Sequence, residues 1–576
     1  MGLEAPLGLR PDRSCQLWTP WRRVVVATAA VLLVVTQFTS YTHHFHAHLA
    51  KHRILRSLQE HPALRLTFQL KRKAMYVHGA STFDVLATPM PRSDSDGSRV
   101  VYNGFASFEE DGDRHEYSLV DGTAFYVRYP GGTSSGKAES GCLPSHFVPP
   151  IETVLSAIQG ATTATHLVKS DVDDRCPGSV MMFPFAGEDF VLCSRRSSSP
   201  WFQDDGFQIF GSDLNINVKF VDSAPEVLAP RVPSDVAAAC GKVPFGERIT
   251  PSLPSVLTRS ALEWGHRSLR AEEAEFSFKT IFQKITGDDS ACTCKGERRV
   301  CVFVAGLRSY KDHGMTEDDP TNYFGKSIPD HAPCCSSIKY ITLATQLNAW
   351  NNAVFQERLV GLLLQASPTS DKATKTIKDT IVVTHSMGNL MLGGAIASGL
   401  TTVDSSSTWV GTSGPLEGSM GSNYLYETCD GALTKVVAKV LDLLGNCPPE
   451  AGRASLVYQG SNYSSPKLDG DFTVAQAAYA SNISAVLCST NHTGLTTIQG
   501  AIFSLAAKVI PHRSLQNDGV VEYQSCAKGL AVEQFGDTSS SSFYVTGLNH
   551  VDTSFRNGDS LFNDNRRPVK WFECLL

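Results

Sequence analysis

Thr380-Ile381-Val382-Val383-Thr384-His385-Ser386-Met387-Gly388-Asn389 decides how the rest of this chain is read. Thr380 to Val383 has the β-branched, apolar character of a strand buried on both faces. The residues after the turn include Gly393, Gly394, Ala395, Ala397 and Gly399, a helix with small side chains. A strand passing through one polar turn directly into such a helix is the context in which a serine can be held as a nucleophile. The turn is tight, so the residues two before and two after the serine must be small. Gly388 meets that rule; Thr384 departs from it and is expected to crowd the turn. Without the strand and helix around it, Ser-Met-Gly would carry no weight.

Working outward, strands and helices alternate. Val300-Cys-Val-Phe-Val304 and Lys339-Tyr-Ile-Thr-Leu343 read as strands, and Leu347 to Gln365 reads as a helix with apolar residues at Val354, Leu359, Leu362 and Leu363. Trp409-Val410 ends a fourth strand. Alternation of this kind implies parallel pairing with right-handed crossovers, hence an α/β sheet. Upstream the pattern differs. Leu66 to Leu70, Arg99 to Tyr102, Ala124 to Arg128, Phe190 to Cys193 and Ile216 to Phe220 are short strand-like segments. Gly, Asp, Ser and Pro clusters punctuate them, predicting an antiparallel β domain over residues 64–222. Prolines 225, 230, 233, 244, 251 and 254 mark residues 223–254 as a linker, and residues 255–576 are assigned to the α/β unit, opening with a helix to about Glu275.

From Val300 to the C-terminus the sequence resembles a serine lipase or esterase of the α/β-hydrolase superfamily. Ala305-Gly306-Leu307 stands where such enzymes carry an H-G-L turn after an early strand. Gly411-Thr412-Ser413-Gly414-Pro415-Leu416-Glu417-Gly418-Ser419 resembles their G-T-P-x-x-G-S turn. Asn517-Asp518-Gly519-Val520-Val521 resembles the N-D-G-V-V loop that carries the acid, and Leu548-Asn549-His550-Val551-Asp552 the N-H-x-D loop that carries the base. The resemblance implies a triad of Ser386, Asp518 and His550 in the superfamily's chain order. It also implies an oxyanion site made by the backbone N–H groups of Met387 and Leu307. His385 is expected to pack behind the serine, and His512 ranks well behind His550 as a base. Asp430, Asp469 and Asp471 also lie between Ser386 and His550, but in polar stretches that read as insertions or a lid. His385-Ser386-Met387-Gly388-Asn389 further resembles phospholipid acyltransferases of the lecithin:cholesterol type, which keeps acyl transfer open beside hydrolysis. Some bacterial lipases hold calcium through an Asp at the place of Asp552 and a second Asp ahead of the acid loop. No second Asp lies between Asn491 and Ser514, so no cofactor or metal is expected, structural calcium near Asp552 is the secondary reading, and Asp552 reads as support for the His loop.

Composition sets the compartment. The chain has 576 residues, 42% hydrophobic and 19% charged, with a net charge of −6. That excludes a disordered or collagen-like protein and gives no electrostatic reason to expect nucleic acid. Val24 to Phe38 is apolar and follows Arg10, Arg13, Arg22 and Arg23. These basic residues put the N-terminus in the cytosol, with residues 1–23 as a tail, 24–41 as a signal anchor and 42–63 as a neck. No small-x-small cleavage site follows, which favours an uncleaved type II anchor over a signal peptide. Of 15 cysteines only Cys15 precedes the anchor, leaving an even set for up to seven disulfides in an oxidising compartment. Cys176 and Cys193 suit a hairpin staple, and adjacent Cys334 and Cys335 suit separate partners. Cys292-Thr-Cys294 is too tight for usual zinc spacing. Asn462, Asn482 and Asn491 each open an N-x-S/T glycosylation acceptor. His43, His44, His46, His48 and His52 read as a polar neck, since their spacing matches no zinc site. A third reading, a surface protein that binds but does not catalyse, rests only on the departures at Thr384 and Ala305.

Overall fold

A computed structural model describes residues 49–58, 61–90, 101–132, 138–143, 157–163, 178–194, 206–223, 226–230, 291–429, 447–495 and 506–576, with Cys176, Val232, Cys240, Gly241 and Phe503. The apolar segment 24–41, histidines 43–48, Asp430 and the helix expected from Ser255 to Glu275 lie outside them, as does most of the proline-rich stretch. Among the described residues no helix is long and apolar enough to cross a membrane.

The N-terminal half forms one antiparallel sheet of eleven strands between Ala63 and Val221. Ala63–Leu70 is central, pairing with Leu214–Val221 on one side and Thr82–Met90 on the other. Asp111-Gly112 and Asp121-Gly122 close successive hairpins with both residues at positive φ, the turn whose twist suits paired strands and which Asp-Gly tolerates at little cost. Residues 49–58, inside the expected neck, are helical. Ala50, Ile54 and Leu58 recur every fourth position and bury against Phe68, Tyr102 and Phe183 of the sheet.

The C-terminal half is built on an eight-stranded sheet, parallel except where Gly314–Thr316 pairs antiparallel at one edge. Inward from that edge come Cys335–Thr342, Arg299–Val304 and Thr380–His385. Thr408–Thr412, Ala485–Ser489, Phe543–Thr546 and the two-residue Phe535–Gly536 follow. All six residues of Thr380–His385 are buried, as expected of a strand inside a parallel sheet covered on both faces. The expected helix begins later than Leu347, at Ala353, because the Asn352 side chain accepts the Phe355 N–H and caps it.

One expectation is corrected. The polar stretch holding Asp469 and Asp471 is no insertion: it forms the helix Pro466–Asn482, which starts at a Ser465 cap. Its buried stripe of Phe472, Ala475, Gln476 and Tyr479 lies against the core. Gly393 permits that approach, since a Cβ there would sit 3.1 Å from the Ala475 carbonyl.

All 14 cysteines after Cys15 are paired, Cys176 with Cys193 as expected, Cys334 with Cys294 and Cys335 with Cys301. The two halves meet through buried charge. Arg72 reaches Glu573 Oε2 at 2.5 Å, and His331 Nδ1 meets the same oxygen at 2.6 Å. Arg567 pairs with Asp213 and Glu188, and Lys570 adds a 2.6 Å contact to Asp213. Each buried acid has a cation beside it, as a buried charge requires.

Candidate active site

The turn at Ser386 is strained. Its φ of 55° and ψ of −129° lie where a residue with a side chain rarely sits, and such conformations cost of order 1–3 kcal/mol. Surrounding bonds hold it there. Ser386 N–H donates to Thr412 O at 2.9 Å, and Asn389 Nδ2 donates to Ser386 O at 3.0 Å and to Thr412 O at 3.1 Å. Thr384, the apparent departure, is part of this brace. Its hydroxyl donates to Asn389 Oδ1 at 2.7 Å and accepts from Trp409 Nε1 at 2.8 Å. The hydroxyl that crowds the strand end also fixes the amide that holds the turn.

Ser386, His550 and Asp518 come together from three separate segments. Ser386 Oγ lies 2.9 Å from His550 Nε2, and His550 Nδ1 lies 2.7 Å from Asp518 Oδ2. Asp518 Oδ1 accepts the N–H groups of Val520 and Val521 at 3.0 and 2.7 Å, so both carboxylate oxygens are used. His550 N–H donates to Asp518 O at 2.9 Å, tying the two loops together through their backbones as well. Burial raises the Asp518 carboxyl. The nearby His550 charge and the hydrogen bonds from His550, Val521 and Val520 outweigh that and leave it below the usual carboxylate range. A carboxylate only accepts, so an ionised Asp518 holds a proton on His550 Nδ1 and turns Nε2 toward the serine hydroxyl.

Gly306 packs directly under the serine. A Cβ there would fall 2.6 Å from Ser386 Cβ and 2.8 Å from His385 O. This places the turn of Gly306 and Leu307 beside Ser386. Thr345 shapes it: its hydroxyl donates to Gly306 O at 3.0 Å and accepts from Arg308 N–H at 3.0 Å. Met387 opens the helix Met387–Ala397, so its N–H has no partner within that helix. Among the described residues neither that N–H nor the N–H of Leu307 has a backbone acceptor. Two unpaired donors beside a hydroxyl that shares a proton with imidazole can stabilise an oxyanion formed on attack at a carbonyl.

A second path of hydrogen bonds runs behind the first. The Tyr323 hydroxyl packs against Gly306 and lies 2.6 Å from His385 Nδ1. His385 Nε2 lies 3.0 Å from His550 O and 3.1 Å from Thr553 Oγ1. A carbonyl only accepts, so Nε2 carries the His385 proton and Nδ1 accepts from Tyr323. Burial first, then the His550 charge, push His385 well below its ordinary value of 6.5. The folded chain thus keeps His385 neutral while the unfolded chain protonates it, and this residue's contribution to stability falls as pH drops below 6.5.

The sequence reading placed His385 as packing and missed Tyr323 entirely. Tyr323→Phe leaves His385 Nδ1 buried without a partner, a cost of about 1–3 kcal/mol. Because the same path links the Leu307 turn to the His550 loop, kcat is expected to fall about 10- to 100-fold with KM little changed. Steady-state kinetics beside a melting curve checks this; lowered stability with kcat intact would leave Tyr323 a packing role alone.

The remaining candidates lie elsewhere. His512 is buried against Glu522 at 2.7 Å. Asp469 is bonded to Ser464 and Asp471 to Asn351 and Lys467. Asp552 is fully buried and accepts N–H donors from Leu495, Asn549 and Asn557, each at 2.6 Å. Burial pushes its carboxyl up to about 6. Its oxygens face N–H groups rather than the oxygen ligands calcium takes, a poor fit for that ion.

No protein-family model matches the sequence, and no curated protein matches it. Among solved structures the chain is similar to the Bacillus licheniformis lipase BlEst2 in mature form, at 12% identity over 46% of this chain and 91% of that one, with a TM-score of 0.30. It is also similar to the metagenomic carboxyl esterase MGS0156, at 14% identity over 49% and 75% of the two chains and a TM-score of 0.29. Staphylococcus hyicus lipase matches at 12% identity over 49% of this chain and 94% of its own, with a TM-score of 0.27.

Proposed function

We propose that this chain is a serine hydrolase of the α/β-hydrolase lipase and esterase type, cleaving carboxylic esters through an acyl-enzyme on Ser386. The observation that carries the reading is the unbroken path from Ser386 Oγ through His550 to Asp518. His550 Nε2 takes the hydroxyl proton as Oγ attacks the ester carbonyl. Asp518 holds the imidazolium that forms, and the N–H groups of Met387 and Leu307 receive the oxyanion. His550 then returns its proton to the departing alkoxide, and water, activated by the same imidazole, resolves the acyl-enzyme.

Lipid acyl esters are the substrate class we assign. The support is the apolar segment Val24 to Phe38, which as a type II anchor would hold the body at a membrane surface. Seven disulfides and the exposed side chains of Asn462 and Asn491 suit a lumenal or extracellular body. The test is product analysis with the full-length chain, an acyl-labelled phospholipid and an excess of a long-chain alcohol. Label should appear as free fatty acid. Label recovered mainly as a new ester would replace hydrolysis by acyl transfer, with the alcohol taking the place of water at the same serine.

A further inference from the structure

His78, Glu110 and His115 come together on the antiparallel sheet, far from Ser386 in sequence. His115 lies on the strand Asp113–Val120, opposite Phe108 of Val101–Glu110, so Glu110 projects from the same face two residues beyond Phe108. His78, held at a φ of 49° in the turn before Thr82, reaches over that face. The candidate ligand atoms of the three residues lie within 4.8 Å of one another. His78 Nδ1 is 2.7 Å from Glu110 Oε2, and the two imidazoles stack with centroids 4.0 Å apart.

Each ring is anchored on its far side by a tyrosine. His78 Nε2 lies 2.7 Å from Tyr117 OH, and His115 Nδ1 lies 2.8 Å from Tyr126 OH. Tyr117 and Tyr126 are themselves cross-strand partners. That leaves His78 Nδ1, His115 Nε2 and Glu110 Oε2 for a shared ligand. An outer hydrogen bond that fixes the orientation of a ligating imidazole is the usual support of a metal-bound histidine. Arg128, the cross-strand partner of His115, does not oppose a cation, because its guanidinium is paired with Asp113 at 2.6 Å and Glu139 at 3.2 Å.

We propose that His78, Glu110 and His115 form a site for a zinc-class divalent cation, with a fourth position open to solvent beside the exposed Glu110. Two imidazoles and one carboxylate suit zinc, and three protein ligands with one open position are a known zinc arrangement. The cation takes the place of the proton between His78 Nδ1 and Glu110. The stacked rings, 21° apart, must open for both lone pairs to converge, a rotation about the soft terminal torsion of histidine. Binding would tie the turn carrying His78 to the hairpin carrying Glu110 and His115.

The test uses the full-length chain in detergent, stripped with chelator and titrated with zinc alone, then with cobalt as a spectroscopic probe. Zinc is expected to bind, and one site should be lost or weakened at least about 100-fold in both His115→Ala and Glu110→Gln. Tyr117→Phe should weaken it about 10-fold. Cobalt should give the visible absorption of a four-coordinate ion that both ligand variants lose. Circular dichroism melts matching wild type show that the variants fold. No zinc uptake, or uptake equal in wild type, His115→Ala and Glu110→Gln, overturns the proposal; the second result would move the metal to histidines 43–52.

Discussion

Ser386→Ala is expected to reduce turnover of a short-chain acyl ester by a factor on the order of 10⁴ to 10⁶ while leaving the chain folded. The substitution removes one oxygen, and that oxygen's bond is to His550 Nε2. Everything that holds the turn is backbone or belongs to other side chains: the Ser386 N–H on Thr412 O, the Asn389 amide on Ser386 O, and the Thr384 hydroxyl on Asn389. The positive φ is strained for alanine as it is for serine, so the melting temperature should barely move. Under the proposed mechanism, the rate that remains comes from the Met387 and Leu307 donors acting on bound ester without a nucleophile. Initial rates with matched circular dichroism melts provide the check; activity within about tenfold of wild type would remove Ser386 from the chemistry.

Asp518→Asn is the second large effect, about 10⁴-fold in kcat. The carbonyl oxygen of the substituted amide can still accept from Val520 and Val521, where Asp518 Oδ1 accepts now. Its NH₂ then faces His550 Nδ1, where the carboxylate oxygen stood at 2.7 Å. An NH₂ donates, so Nδ1 must accept and the imidazole proton moves to Nε2. That nitrogen can no longer take a proton from Ser386. The loss should therefore fall on kcat, with the fold intact. Near-normal rates in Asp518→Asn, with loss on changing Asp469 or Asp471, would put the acid on the helix Pro466–Asn482 instead.

The candidate site was largely legible because its parts are local. A buried strand running into Ser386, an acid loop at Asn517 to Val521 and a His loop at Leu548 to Asp552 each show their character within a few residues. What could not be read depends on distance. Tyr323 precedes His385 by 62 residues, and nothing around Asn322-Tyr323-Phe324 marks its hydroxyl as a partner of that imidazole. Thr345 looks like an ordinary residue after a strand until the backbone groups it braces are known, and Thr384 reads only as a departure until its bonds to Asn389 and Trp409 are seen. The helix Pro466–Asn482 was hidden by Gly470, Asp469 and Asp471, because its four buried residues are spread thinly among polar ones. Strands Ala485–Ser489 and Phe543–Thr546 are too short to carry a periodicity. The antiparallel character of residues 64–222 showed in its turns, but the joining of eleven strands into one sheet is a tertiary fact that no local pattern contains.

The central claim is that Ser386 is an activated nucleophile, and covalent labelling tests it most directly. Incubation with a serine-directed fluorophosphonate, followed by intact mass and peptide mapping, should give one adduct per chain on the peptide holding Ser386. The adduct should vanish in Ser386→Ala and form far more slowly in Asp518→Asn. An unlabelled wild type, or label that persists undiminished in Ser386→Ala, would contradict the account.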